Sequence, residues 1–159
     1  MLAVPKLVSM DRIQPLMTRQ GQLMAPLVSA DVNGTEATLL SAGVVRMKRG
    51  HASRAHCHHD TDVIVLLWRS GRSGAVTLYG DRLEHEIWQR PGQALWIPRG
   101  VPHAALNLSR WRMVVAWEFR SNPVLGEDNH PLEELEPIVA TRRDTLMRQG
   151  FLVRRRQFG

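Results

Sequence analysis

Cysteine is almost missing from this chain. Cys57 stands alone, so no intramolecular disulfide can form, and a reducing compartment is expected. Lysine is nearly as scarce, with only Lys6 and Lys48, so arginine supplies almost all of the positive charge. No stretch approaches the roughly twenty uninterrupted apolar residues that a membrane span needs. The N-terminus also lacks a charged region followed by an apolar block and a cleavage site. A cytoplasmic protein with no membrane partner is therefore expected. No internal repeat or low-complexity tract is visible, which excludes a solenoid or array.

What is present fits one small domain. A chain of 159 residues with 43% hydrophobic content can bury a single sizeable core, and a second full domain would not fit. The formal charge of +6 raises the question of a nucleic-acid partner. The arginines are spread along the chain without the clustered stripe of a binding surface, so none is expected. Arg142, Arg143, Arg148 and Arg154 to Arg156 do gather near the C-terminus. They read as a solvated helix face and tail.

The organisation reads as an arm over 1–34, a β-rich body over 35–122 and a helical, basic tail over 123–159. Pro5, Pro15 and Pro26 keep the arm from forming a long helix and favour extended segments wrapped on the body or on a second subunit. Short strand-like runs follow at about 36–48, 62–68, 75–80, 84–89, 94–97, 103–108 and 112–119, separated by glycine-containing turns. That density predicts a sandwich or barrel. From Pro131 to Gln149 the spacing becomes helical, with Leu132, Leu135, Ile138, Val139 and Leu146 on one face and Gly150 at the end. The five tryptophans are expected mostly in the core, with one or two free to stack on a planar substrate.

Two histidine segments carry the chemistry. One runs from Gly50 through His56, Cys57 and His58 to Asp62, and the other from Gly92 through Pro98, Gly100 and His103 to Asn107. In an extended strand, residues two apart share a face, so His56 and His58 can aim at one ion while Cys57 turns away as a packing residue. Asp62 offers an oxygen if the intervening turn keeps its facing, and His103 closes the site from far along the chain. His51, His59, His85 and His130 belong to neither pattern and read as ordinary surface or hydrogen-bonded histidines.

At these residues the chain resembles the cupins, small antiparallel jelly-roll barrels with the motifs G-x5-H-x-H-x3,4-E-x6-G and G-x5-P-x-G-x2-H-x3-N. The second motif is matched at Gly92, Pro98, Gly100, His103 and Asn107, the first at Gly50, His56 and His58. The likeness spans roughly residues 40 to 120. It implies an all-β jelly-roll barrel, here with an N-terminal extended arm and a C-terminal helical tail, and metal ligands at His56, His58, Asp62 and His103. Two positions depart from the pattern. Asp62 replaces the usual glutamate, and Arg69 stands at the closing glycine, with Gly71 two residues on. The shorter Asp62 leaves two alternatives, a three-histidine centre or one with an added carboxylate.

Pro98 and Pro102 stiffen the loop that delivers His103, and Asn107 reads as a support for backbone hydrogen bonds. Arg46 and Lys48 precede the first motif on the strand that borders the pocket in such barrels, where either can pair with a substrate carboxylate or phosphate. Tyr79 and Glu118 are candidate proton donor and base. The first functional reading is an enzyme with one divalent ion, Zn(II) or Fe(II) ahead of Ni(II), Mn(II) or Cu(II), acting on a small molecule in bacterial specialised metabolism. Its chemistry is isomerase or cyclase, dioxygenase, or N–N bond formation. The last follows from a narrower likeness of Tyr79 to Arg110 to zinc cupins that act with a synthetase-like domain in hydrazine formation. Such a synthetase would here be a separate partner chain. A metal- or ligand-binding sensor and a metal-free structural barrel are the other readings, and a homodimer is the expected assembly.

Overall fold

A computed structural model describes residues 7–9, 13–31, 39–72 and 74–149. Two antiparallel sheets face one another. The strands are β1 (Leu16–Met17), β2 (Leu23–Val28), β3 (Ser41–Met47), β4 (His56–Cys57), β5 (Val63–Arg69), β6 (Ala75–Tyr79), β7 (His85–Gln89), β8 (Ala94–Ile97), β9 (His103–Leu106), β10 (Val114–Arg120) and β11 (His130–Pro131). The larger sheet runs β1-β2-β3-β10-β5-β8, the smaller β11-β4-β9-β6-β7. The sheets do not close on each other, and the result is the jelly roll expected from the sequence.

Strand alternation sorts the core. Met24, Val45, Met47, Leu67, Val114 and Ala116 of the larger sheet pack together between the sheets, joined by Ala75 and Ala105 of the smaller one. Intervening residues face outward, and over β2 and β3 this outer face is buried too, because Val8 and Ile13 pack with Ala25, Leu27 and Val44. Burial on both faces is why β3 reads as a near-continuous apolar run. Gly43 interrupts that run for a steric reason. A Cβ there would lie 2.5 Å from Leu125 Cδ2 and 3.0 Å from the Ala25 carbonyl oxygen.

The smaller sheet turns its other face to the C-terminal segment, which forms a 3-10 turn at Glu133–Leu135 and then α1 (Glu136–Gln149). Leu135, Val139 and Leu146 are buried against Val76, Leu78, Leu83, Ala104 and Leu106, with Leu132 and Ile138 packed beside them. The apolar stripe read from the sequence is thus the face that docks. The start of this segment brackets the first histidine strand. Leu132 N–H donates to the Ala55 carbonyl at 3.0 Å, and Ala55 N–H donates to Glu136 Oε1 at 2.8 Å.

The tryptophans do not form the core. Trp111, Trp96 and Trp68 are 83%, 61% and 60% exposed, while Trp88 and Trp117 are half-buried. Trp96 pairs in register with Ile64, and Ile64 with Phe119, on the outer face of β8, β5 and β10. Val8 and Ile13 pack at the other end of that sheet. Arg154 to Arg156 and Gly150 lie outside the described residues.

Candidate metal centre

The two histidine segments meet on the inner face of the smaller sheet. His56 on β4 pairs in register with His103 on β9, and His103 pairs with Tyr79 on β6. His58 follows β4, and its carbonyl accepts the Gly100 N–H at 2.5 Å, tying the second motif to the first. Gly100 has φ +76°, a conformation that glycine adopts without strain. Three ring nitrogens, one each from His56, His58 and His103, lie within 4.8 Å of one another. All three residues are buried.

The second nitrogen of each ring fixes which one points inward. His56 Nδ1 lies 2.9 Å from the Arg54 carbonyl oxygen, His58 Nδ1 lies 2.6 Å from that of Asp128, and His103 Nδ1 lies 2.9 Å from that of Val101. A carbonyl oxygen can only accept, so each Nδ1 carries the proton and donates. Each Nε2 is left as a lone-pair donor for an ion, the arrangement typical of metal-ligating histidines.

Electrostatics keep the rings neutral. Burial holds His56 well below the ordinary imidazole value, and repulsion from His103 and His58 adds to it. His103 is pushed down to about 3, chiefly by burial. His58 is lowered as well, by burial first and then by the positive charge of Arg120. Neutral imidazole is the form that binds metal.

The other expected site residues are placed differently. Asp62 stands outside the cluster of ligand atoms. Its Oδ1 accepts the Arg99 N–H at 3.0 Å with the Arg99 Nε 3.7 Å away, so its carboxylate serves the second motif's turn. The cluster that could hold an ion is therefore three histidines among the described residues. Arg46 pairs with Val115 on the outer face, since Val45 and Met47 take the inward positions, and Lys48 is exposed beyond the strand end. Neither is brought to the histidines. Tyr79 is half-buried beside His103 on the inner face, its ring centroid 5.1 Å from that of His85. Glu118 is buried on the inward side of β10, where its Oε1 accepts the Arg120 Nε–H at 2.5 Å. Cys57 is buried and takes no part in the cluster, its thiol pushed up by burial.

Sequence reading missed Arg120, Asn129 and Asp128. Arg120 lies on the inward parity of β10 after Val114, Ala116 and Glu118, and its charge acts on all three histidines. Its Nη1 donates to Asn129 Oδ1 at 2.9 Å. The signal was there in the alternation, because a charged residue at an inward strand position needs a purpose.

No family model and no curated protein matches the chain. Solved structures do. The polyketide cyclase RemF from Streptomyces resistomycificus superposes with a TM-score of 0.66 at 14% identity, covering 91% of this chain and 99% of its own. An oxalate decarboxylase from Lactobacillus farciminis, solved as a formate complex, gives 0.62 at 16% identity over 79% of this chain, which spans 35% of that larger one. The cupin domain of Cnp3 from Schizosaccharomyces pombe gives 0.55 at 14% identity, covering 72% of each chain. The fold is the cupin fold.

Proposed function

We propose that this cupin-fold chain is a metal-dependent enzyme acting on a small molecule at an open three-histidine centre. The observation that carries the reading is the engagement of all three Nδ1 atoms by backbone carbonyls, which leaves three converging Nε2 donors. Structural zinc sites close with four protein ligands, whereas catalytic ones keep a position for water or substrate. When bound, a divalent ion supplies Lewis-acid polarisation or, if redox-active, activation of dioxygen. All-imidazole ligation suits Zn(II) and Fe(II) first, with Ni(II), Mn(II) and Cu(II) behind.

The protein's own groups orient the rings, exclude water and offer proton traffic. Tyr79, beside His103, is the available phenol, and Glu118 is held by Arg120 on the inward side of β10. A cyclase and a decarboxylase on similar barrels support the enzyme reading over the others. The sensor reading loses ground because the helix it would use for output is docked on the smaller sheet. Nothing at the site supports N–N bond formation in particular.

Metal content of untagged protein purified without chelators tests the proposal, measured by plasma mass spectrometry beside His103→Ala. About one equivalent of a divalent metal in the parent and its loss in the variant is the expected result. A parent that holds no metal and recovers none on reconstitution overturns it.

A further inference from the structure

Arg120 is a cation withdrawn from water, with 1% of its side chain exposed. Such burial is costly unless both the charge and the N–H donors are met. The charge is met by Glu118, at 2.5 Å from Nε, and one terminal donor by Asn129, at 2.9 Å from Nη1. The rest are not. A guanidinium carries five N–H groups, and Nη2 has no hydrogen-bond or ion-pair partner among the described residues.

A second unmet group lies beside it. Ser41 sits directly across the β3–β10 ladder from Arg120. It is 0% exposed and its hydroxyl has no partner. Cross-strand neighbours on one face stand roughly 4.5 to 5.5 Å apart at Cβ, so the Ser41 hydroxyl lies near the root of the Arg120 side chain, whose guanidinium reaches on to Asn129, the residue after the Asp128 carbonyl that holds His58. A buried hydroxyl left unpaired beside a buried guanidinium whose bonds run only through Nε and Nη1 calls for a reason.

Charge indicates what would satisfy them. The three histidines bring no negative charge, Glu118 cancels Arg120, and the Asp128 carboxylate near His58 supplies one negative charge against the two of a divalent ion. A divalent ion on the three Nε2 atoms would therefore leave this interior positive. A ligand that brings negative charge and two acceptor oxygens answers both deficits, whereas a neutral one leaves the charge unanswered and forms the weaker, uncharged hydrogen bonds.

We propose that Arg120 and Ser41 form an anion subsite next to the three-histidine centre, which takes a carboxylate of the substrate while another oxygen of that substrate faces the metal. This rests on the metal reading above. Asn129 and Glu118 hold the guanidinium in place as positioning residues.

The test titrates Co(II)-loaded protein with acetate, oxalate and the neutral analogue acetamide, followed by the cobalt visible spectrum and by calorimetry. Parent, Ser41→Ala, Arg120→Lys and the double variant Arg120→Met/Glu118→Gln are compared. The double variant removes both charges, so that none is stranded in the interior. Carboxylates should bind the parent and acetamide should not. Their affinity should fall about 10- to 100-fold in the double variant, the usual loss for a charge-assisted hydrogen bond, and less in Ser41→Ala. Unchanged carboxylate affinity in the double variant at equal cobalt content overturns the proposal, and should that variant fail to fold, unchanged affinity in Arg120→Lys does the same.

A metal-free arm separates the two readings. Saturable movement of the Arg120 Nε–H resonance with acetate supports the subsite even if cobalt does not bind, in which case it is the metal reading that fails. No movement, in a parent that also takes up no cobalt, overturns the subsite.

Discussion

His58 donates its Nδ1 proton to the backbone carbonyl of Asp128 at 2.6 Å, joining the first motif to a residue seventy positions later. The Asp128 side chain grips the same loop. Its two oxygens accept the N–H groups of His59 at 3.2 Å and Asp60 at 2.9 Å, and His130 Nε2 lies 2.8 Å from Oδ1. Desolvation works against the charge, but hydrogen bonding from the Thr61 side chain first, then from Asp60, His59 and His130, outweighs it and holds the carboxyl below the usual carboxylate range. One residue therefore sets both the position and the tautomer of a ring in the three-histidine cluster.

Replacing Asp128 by Ala keeps the carbonyl but releases the loop that places it. Metal affinity should fall about 10- to 100-fold, the usual cost of losing support behind a ligand. Asp128→Asn, which keeps an acceptor on one side, should lose less. Competition of Co(II) between protein and a chelator reads both, and an unchanged dissociation constant in Asp128→Ala would detach the residue from the site.

On the proposed metal reading, the depressed histidines should give metal uptake a flattened pH profile. Three imidazoles at the ordinary value of 6.5 would lose roughly 50-fold in affinity between pH 7.5 and 6.0 through proton competition alone. Here all three rings are shifted down, His103 to about 3, so competition starts at lower pH. Affinity measured at pH 7.5 and 6.0 should differ by less than about tenfold. The same shifts fix the sign for the metal-free fold. Below the unfolded value the unfolded chain takes up protons that the folded one refuses. Stability from these groups is complete above about pH 6.5 and declines as pH falls toward the folded values. A denaturant midpoint that rose on acidification through this window would contradict the assignment.

The histidine triad was legible because ligand spacing in a strand pair is a local property, and Gly100, Pro98 and His103 keep theirs whatever surrounds them. Asp62 was not, because a turn separates it from β4 and the Arg99 N–H competes for its oxygen. Arg46 required the absolute facing of β3, which only its register with Val115 and the packing of Val45 settle. The exposed Trp68 and Trp96 show that apolar residues on a strand's outer face reveal nothing about what covers them. Arg120 needed the inward parity of β10 to be read to its last residue.

Gly43 offers a test of how the barrel end is closed. Leu125 enters from the loop after β10 and packs where a Cβ at position 43 would stand 2.5 Å from Leu125 Cδ2. Gly43→Ala should cost about 1 to 3 kcal/mol, the range for overpacking a filled core. Leu125→Ala in the same chain should recover part of that loss, giving a coupling energy of about 0.5 kcal/mol or more in a double-mutant cycle. Strictly additive losses in urea unfolding would remove the contact from the account.

Asn107 makes the last distinction, between holding the fold and holding the ion. It is 0% exposed, and its Nδ2 donates to the carbonyls of Met47 at 3.1 Å, Lys48 at 3.0 Å and Arg112 at 2.9 Å. Its Oδ1 accepts the Ser109 N–H at 3.0 Å. No bond is left over for a ligand, so the residue serves the turn around Ser109 and the end of β3. Asn107→Ala strands buried carbonyls and should cost about 2 to 4 kcal/mol. Asn107→Asp has the same shape but turns an acceptor toward three acceptors, so it should be the less stable of the two at neutral pH and should recover as acid protonates it. In both, the folded fraction should keep the parent's cobalt affinity, because the triad's own carbonyl partners are Arg54, Asp128 and Val101. Weakened cobalt binding in protein that is still folded would place Asn107 in the metal site.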